Sequence, residues 1–386
     1  MELNEIIDIV ESISGNALPW KIEDNKNKQL PDDLKYCEIG VSHHPKGKVD
    51  LVIINSRDEI PLAQPLLENH GKIYLRCLTQ DLRDVLRVAH KSELFWAECR
   101  RAGKWSHLVL RPRRAFDQPR WNKEKGSVLL HCDWGWGDTF QFLRYVKEVK
   151  DACLGRVILE VRLGLEKLCE NLEGVDEVVI KGNPLPEFDY HAELAELGSF
   201  FPTVPQPPYF SASRSEWESD KKKFNIGCVW HGHHLTFNFF RFYDPNLLES
   251  SCFSKVKYYS LQKKTDSTFS NDDAPMDTPH LSVPSFMEDI TSKIENWNDT
   301  ANLLSQMNLL ITTDTAIAHL AGAMNLATWV ILPDKKYNTP WLTSISNPHL
   351  WYPSTRLFKK NESESWESLF IQVRNSLKEE LFKSLV

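Results

Sequence analysis

No apolar run in the sequence approaches the roughly 20 residues needed to cross a bilayer, so no transmembrane segment is expected. A basic excess is also missing: 46 Lys and Arg face 53 Asp and Glu, for a formal net charge of −7. That balance argues against nucleic acid or an anionic membrane surface as the main partner. No C-x-x-C pair occurs. The 8 cysteines, Cys37, Cys77, Cys99, Cys132, Cys153, Cys169, Cys228 and Cys252, are scattered. Buried thiols in a reducing cytoplasm account for them. The opening MELNEIIDIVESI is acidic and amphipathic and lacks the pattern of a signal peptide, so a cytoplasmic location is expected.

What is present reads as soluble and globular. Hydrophobic residues make up 41% and charged residues 26% of 386, enough for two or three domains with real cores. The most informative stretch is Leu309–Pro333, LLITTDTAIAHLAGAMNLATWVILP. A short apolar run, a cluster of helix-capping residue types, an Ala-rich segment and a second apolar run ended by proline spell strand, turn, helix, strand. In such a unit the helix N-terminus sits at the carboxyl ends of the strands. Its unpaired N–H groups and positive dipole end suit a phosphate. Thr313, Asp314 and Thr315 stand at that place, with His319 about one turn inside. The helix is almost free of charge and is expected to be buried. Taken alone, Asp or Thr before a helix is ordinarily only a cap.

A second pattern begins at Gly126. Ser127–His131 reads as a strand, Cys132–Thr139 as a glycine-rich turn and Phe140–Val149 as a helix. Glycine lets a backbone bend tightly and approach a ligand closely. Asp138 falls at or near the helix N-terminus, where capping is again the plain reading.

Both stretches resemble bacterial glycosyltransferases related to the ADP-heptose:lipopolysaccharide heptosyltransferases, most closely the branch often fused to tetratricopeptide repeats. Asp314-Thr315-Ala316 followed by Ala318-His319-Leu320-Ala321-Gly322-Ala323 matches the signature D-T-x-x-A-H-L-A-G-A. Gly135-Trp136-Gly137-Asp138-Thr139, then Gln141-Phe142-Leu143-Arg144-Tyr145, matches G-x-G-D-T and Q-F-L-R-Y. Trp351-Tyr352-Pro353-Ser354, Arg356, Leu357 and Phe358 match the closing W-Y-P-S-x-R-L-F. Trp230, Gly232 and Arg241 fit a W-x-G loop that contacts donor phosphate, although Asn238-Phe239-Phe240 and Phe242 depart from it. Ser260-Leu261-Gln262 fits a Ser-Leu-Gln near the donor nucleotide, and Lys263 follows. The likeness spans about Gly126–Phe358. The N-terminal third lies outside it and shows no tetratricopeptide repeat.

The resemblance implies an α/β fold of the GT-B kind, two Rossmann-like domains facing each other across a cleft. Residues 1–120 would be an N-terminal α/β accessory region. Residues 121–215 would form the acceptor domain, and 216–386 the donor domain with a last helix, Ser365–Leu385, that in such enzymes often crosses back onto the first. It implies an inverting, metal-independent transfer of a sugar from a nucleotide diphosphate to a hydroxyl, with no cofactor. Asp138 carries over as the base, with Asp133 as second choice. Deprotonating the acceptor needs such a carboxylate, and a part-dry cleft raises its proton affinity. Gly135, Trp136, Gly137 and Thr139 would shape the acceptor side. Trp230, Gly232, Arg241, Gln262, Lys263, Thr313, Asp314, Thr315 and His319 would hold the donor. The implied partners are a nucleotide sugar and a glycan, lipid-linked glycan or protein acceptor. A catalytically silent sugar-nucleotide or glycan-binding protein remains open, as does, more distantly, a nucleotide-sugar epimerase. His231, His233 and His234 tempt a metal reading, but three histidines in four loop residues cannot all reach one ion easily. The 13 tryptophans suit core packing, with some available to line a sugar cleft.

Other expectations are a helix over Leu3–Ile13, a loop over Lys21–Asp33, a strand Val49–Ile54, a helix from Asn55 to Leu67, a strand Lys72–Arg76 and a charged helix over Gln80–Gly103. A strand Trp105–Leu110 and a basic linker to Arg120 would follow. Further on, Arg156–Val161 reads as a strand, and Asp299-Thr300 would cap a helix over Ala301–Met307.

Overall fold

The computed structural model describes residues 116–132, 135–212, 217–232, 242–249, 254–263, 282–332, 351–361 and 363–383, and the backbone of five strands between 36 and 112. The expected helix Leu3–Ile13, the loop Lys21–Asp33, most of the helix after Asn55, and the site candidates Asp133 and Arg241 lie outside the described residues. The chain forms two compact units, one of residues 1–117 and one of 118–233 and 240–386.

In the first unit, β1 (Tyr36–Glu38), β2 (Val49–Ile54), β3 (Leu67–Leu78), β4 (Leu94–Ala102) and β5 (Trp105–Pro112) form one sheet in the order β1-β2-β3-β5-β4. The first three strands are parallel, and β3-β5-β4 antiparallel. The strand β4 corrects the helix expected over Gln80–Gly103, whose earlier part lies outside the described residues. Its sequence, LFWAECRRA, carries aromatic β-formers, and as an edge strand it tolerates charge. Ala102 pairs with Trp105, so only Gly103 and Lys104 separate β4 from β5, a glycine-first hairpin spacing.

The second unit holds two parallel sheets. One contains β6 (Gly126–His131), β7 (Leu154–Val161), β8 (Glu177–Ile180) and β9 (Tyr190–Glu193), ordered β8-β7-β6-β9. The other contains β10 (Phe224–Val229), β11 (Val256–Ser260), β12 (Met287–Asp289), β13 (Leu309–Thr313), β14 (Thr328–Leu332) and β15 (Thr355–Lys359), ordered β12-β11-β10-β13-β14-β15. Counted within the sheet, that is 3-2-1-4-5-6, the doubly wound Rossmann order; the smaller sheet follows 3-2-1-4. Each sheet therefore has a topological switch point, between β6 and β9 and between β10 and β13.

Among the described residues six α-helices accompany these strands: α1 (Trp136–Phe142), α2 (Val146–Cys153), α3 (Glu166–Cys169), α4 (Trp297–Leu304), α5 (Ala316–Ala323) and α6 (Trp366–Lys383). The helix expected from Phe140 begins four residues earlier, because Gly135 is its N-cap and Asp138 its third residue. Likewise α4 starts at Trp297 rather than Ala301. Asn296 caps it, and Asp299 reaches back to the N–H groups of Glu295 and Asn296.

The two halves of this unit share one hydrophobic cluster that includes Val128, Leu130, Phe140 and Leu159 from the first and Tyr259, Leu310, Ile317 and Leu320 from the second. Backbone bonds tie the halves as well. Trp297 donates to Gly164, and Tyr209 and Phe210 both donate to the carbonyl of Ala323 at the end of α5. The two sheets belong to a single compact unit. The last helix, α6, buries Leu369, Phe370, Val373 and Leu377 against Ile226, Cys228 and Trp230 of the larger sheet. It packs on its own half, so the crossing back implied by the resemblance is not where this core sits.

Phe370 is fully buried and its ring centroid lies 5.1 Å from that of Tyr243. Phe370→Ala is expected to cost about 3–5 kcal/mol, read as a lower urea midpoint at unchanged slope.

Candidate functional site

The candidate residues collect at the two switch points, where open α/β sheets bind ligands. In the larger sheet, β10 ends at Trp230-His231-Gly232 and the parallel β13 ends at Thr313-Asp314-Thr315. The N-cap of α5 is Thr315, not Asp314. Thr312 and Thr315 hydroxyls bond each other at 3.2 Å, and Thr315 Oγ1 also lies 3.4 Å from the Thr313 carbonyl. Thr313 Oγ1 donates to the Ile331 carbonyl at 3.3 Å. These hydroxyls shape the turn. Thr313 and Asp314 are buried, while Thr315 and Ala316 are half-exposed at the head of the helix. As expected from its composition, α5 is buried from Ile317 to Ala323.

Several donor-side candidates have structural tasks here. Gln262 Oε1 accepts from the backbone N–H groups of Trp230 and His231 at 3.1 and 2.9 Å. It fastens the end of β11 to the end of β10. Lys263 Nζ donates to the Ile294 carbonyl at 3.0 Å. The Trp230 indole, 1% exposed, belongs to the core with Tyr243 and Phe370. His231 and Gly232 are buried, with His231 bridged to Phe242. Among the described residues no three His, Cys, Asp or Glu side chains gather as a metal site.

In the smaller sheet, β6 runs into the turn before α1. Gly135 is exposed, and Trp136, Gly137 and Asp138 are half-buried. Asp138 Oδ2 accepts the Gly135 N–H at 3.0 Å, and Thr139 Oγ1 donates to the Gly135 carbonyl at 3.1 Å. The carboxylate therefore closes the first turn of α1 and takes advantage of its positive end. Beside it, the Trp136 ring faces Trp297 at 5.6 Å, and the Arg162 guanidinium lies 5.6 Å over Trp136.

The two motifs meet. A Cβ placed on Gly137 would lie 2.8 Å from Cδ2 and 3.2 Å from Nε2 of His319. Only glycine allows α1 and α5 to approach so closely. Three residues further along α5, Gly322 sits under the Tyr352 ring, where a Cβ would come within 2.5 Å. His319 and Gly322 share a helix face, so the ring over Gly322 brings its hydroxyl to His319 Nδ1 at 3.2 Å.

Behind this pair lies Arg144, 2% exposed. Its Nε donates to the Gln141 carbonyl at 2.7 Å, and Nη1 to the carbonyls of Pro205 and Trp351, each at 3.0 Å. Its Nη2 donates to the Tyr209 hydroxyl at 3.3 Å, and that hydroxyl donates to the Phe140 carbonyl at 2.8 Å. The guanidinium also lies 4.9–5.2 Å over the rings of Tyr209, Trp351 and Tyr352. Burial pushes the Tyr352 hydroxyl well above the ordinary tyrosine range, with Tyr209 adding and Arg144 opposing. Burial likewise raises Tyr209, against Arg144. Both stay protonated at neutral pH. Arg144 and Tyr352 stand within the matched motifs without a task that the sequence assigns, and Tyr209 lies outside them. An arginine inside an otherwise apolar helical pattern was the available signal.

Two substitutions separate geometry from chemistry. Gly137→Ala gains about 1 kcal/mol of helix propensity, but its methyl meets a His319 ring held in place by Tyr352. A net loss of about 1–3 kcal/mol in urea unfolding is expected. Asp138→Ala should cost about 1 kcal/mol through the lost cap, whereas Asp138→Asn, which keeps an acceptor for the Gly135 N–H, should stay close to wild type.

No family model and no curated protein matches the chain. Among solved structures, it is similar to the E. coli ADP-heptose lipopolysaccharide heptosyltransferase II, at 10% identity over 67% of this chain and 100% of that one, TM-score 0.45. It is similar to a glycosyl transferase family 9 protein from Veillonella parvula, at 10% identity over 62% of this chain and 88% of the other, TM-score 0.44. A third likeness is to the iron-containing dodecameric glycosyltransferase TibC of enterotoxigenic E. coli, at 10% identity over 69% and 71%, TM-score 0.44. At these scores the similarity is too loose to transfer the role of any residue.

Proposed function

We propose that the chain is a glycosyltransferase of the GT-B kind, similar to the heptosyltransferases, taking a sugar from a nucleotide diphosphate to a hydroxyl acceptor. The observation that carries this reading is the contact between the two motifs: the Gly135–Asp138 turn lies against His319, one turn inside the helix that follows β13. Each motif sits at the switch point of its own sheet, so donor and acceptor sites on these turns would be neighbours. The donor diphosphate would meet the head of α5 at Thr315 and Ala316, where N–H groups and the helix dipole offset its charge. Arg241 and Lys263 would add positive charge as the diphosphate leaves.

In the proposed step, the acceptor oxygen attacks the anomeric carbon from the face opposite the diphosphate. A carbon–oxygen bond forms, the bond to the diphosphate breaks, and the leaving group keeps the electron pair. The acceptor proton passes to Asp138. Inversion follows from the single displacement. No metal enters this scheme.

The commitment of Asp138 Oδ2 to the Gly135 N–H favours a second reading, a sugar-nucleotide or glycan-binding protein in which this carboxylate is only a cap. A donor panel decides between them. ADP-, GDP-, UDP- and CMP-sugars, ADP-heptose included, are titrated against wild type and Asp138→Asn, following binding and donor turnover with an acceptor mixture of lipid-linked and free glycans. The expected outcome is selective binding by both proteins and turnover about 10²–10⁴ lower in the variant, the usual worth of a general base. Equal turnover would remove Asp138 from the chemistry. No binding of any sugar nucleotide would sink the reading.

A further inference from the structure

Gly137 and Arg144 stand seven residues apart on one helical stretch, α1 and the 3₁₀ turn Leu143–Tyr145 that follows it. Seven residues are about two turns, so both lie on the same side of that stretch. His319 and Gly322 share a side of α5 in the same way. The two helices therefore meet at two levels. At one level the His319 ring edge lies on Gly137. At the other the Tyr352 ring fills the space between them. Gly322 lies under this ring, and the Arg144 guanidinium stands 4.9 Å from its centre. Arg144 also holds the backbone of the same segment, donating to the Trp351 carbonyl at 3.0 Å. The Tyr352 hydroxyl joins the two levels. It lies 3.2 Å from His319 Nδ1, with the two rings edge to face at 5.8 Å.

These contacts close a ring, from Arg144 to Tyr352, on to His319, across to Gly137 and back along α1. Asp138 is the residue after Gly137, and its carboxylate is fixed to the Gly135 N–H. We infer that Tyr352 is a positioning residue for both halves of the candidate site: it holds the His319 imidazole against Gly137, and so sets the donor-side imidazole and the Asp138 turn at a fixed spacing. Tyr352 is 0% exposed, so it reaches a ligand only through the imidazole. Further partners of the imidazole or of the hydroxyl would leave these contacts in place. Its part in donor binding rests on the function proposed above, while the hold on His319 rests on packing alone.

Two measurements on the full chain test this. The first needs no ligand. The sequence Trp-Gly occurs only at Trp134-Gly135 and Trp136-Gly137, so labelling tryptophan carbonyls with ¹³C and glycine with ¹⁵N selects these two amides in an NMR spectrum. Trp136→Phe removes one of the two signals and identifies Gly137. Tyr352→Phe keeps the ring over Gly322 and loses only the hydroxyl. It is expected to move the Gly137 signal, because the imidazole ring current acts on it, and the Gly135 signal with it through the Asp138 cap. A Gly137 signal left in place overturns the inference. The second is a double-mutant cycle with a sugar nucleotide that the wild type binds. Tyr352→Phe should weaken binding about 3- to 10-fold, the usual worth of one neutral hydrogen bond, and should cause no further loss in the His319→Ala background. An equal loss in both backgrounds would make Tyr352 merely structural and overturn its role through the imidazole, as would no loss in the wild type. Failure of the wild type to bind any sugar nucleotide would fall on the function proposed above, and the glycine spectrum would then decide alone.

Discussion

A buried guanidinium is the constraint on which the described core depends. Arg144 has no ion pair among the described residues; its charge is met by three backbone carbonyls, one hydroxyl and three aromatic faces. Burying a cation without a counter-ion is costly unless its donors are satisfied. Here the acceptors come from the 3₁₀ turn and helix around residue 141, from the proline-rich connection at 205–209, and from the segment at 351–352. Each must be in place for the others to be tolerable. The charge therefore works as a specification for how these three pieces meet.

From that point the geometry passes outward to the candidate site in two steps. Tyr352 lies on Gly322 and reaches His319, and His319 in turn lies on Gly137. Both close approaches depend on a missing Cβ, and both glycines are in helices, where glycine costs about 1 kcal/mol relative to alanine. That cost is accepted where helix backbones and rings must come closer than a methyl group permits. The glycines of the two motifs thus have a packing role in addition to any approach of ligand.

The strands of the second unit were legible because buried parallel strands read as continuous apolar runs, as in Ser127–His131, Arg156–Val161 and Leu309–Ile311. The unit around α5 was legible for the same reason, with its helix marked by alanine and its ends by threonine and proline. Helix starts were read too late at α1 and α4. In both cases an aspartate at the third helical position was taken for the cap, and the true caps, Gly135 and Asn296, lie three residues earlier. β4 was read as helix because charge is common on helices, while its pairing with β5 is a property of the partner strand as well.

The sequence by itself determined most of the order of strands and helices in the second unit, their apolar faces, and the chemistry of the residues that end β6, β10 and β13. These follow from local rules, which act over a few residues. Only the tertiary structure decided that Gly137 meets His319, that Gln262 Oε1 fastens the backbone at the end of β10, and that the Trp230 indole is core. It alone joined Arg144 to Trp351, 207 positions away. Contacts at such separations leave no periodicity in the chain, because they depend on how two sheets share one core. The fate of a polar side chain is settled by which acceptors that packing brings within reach.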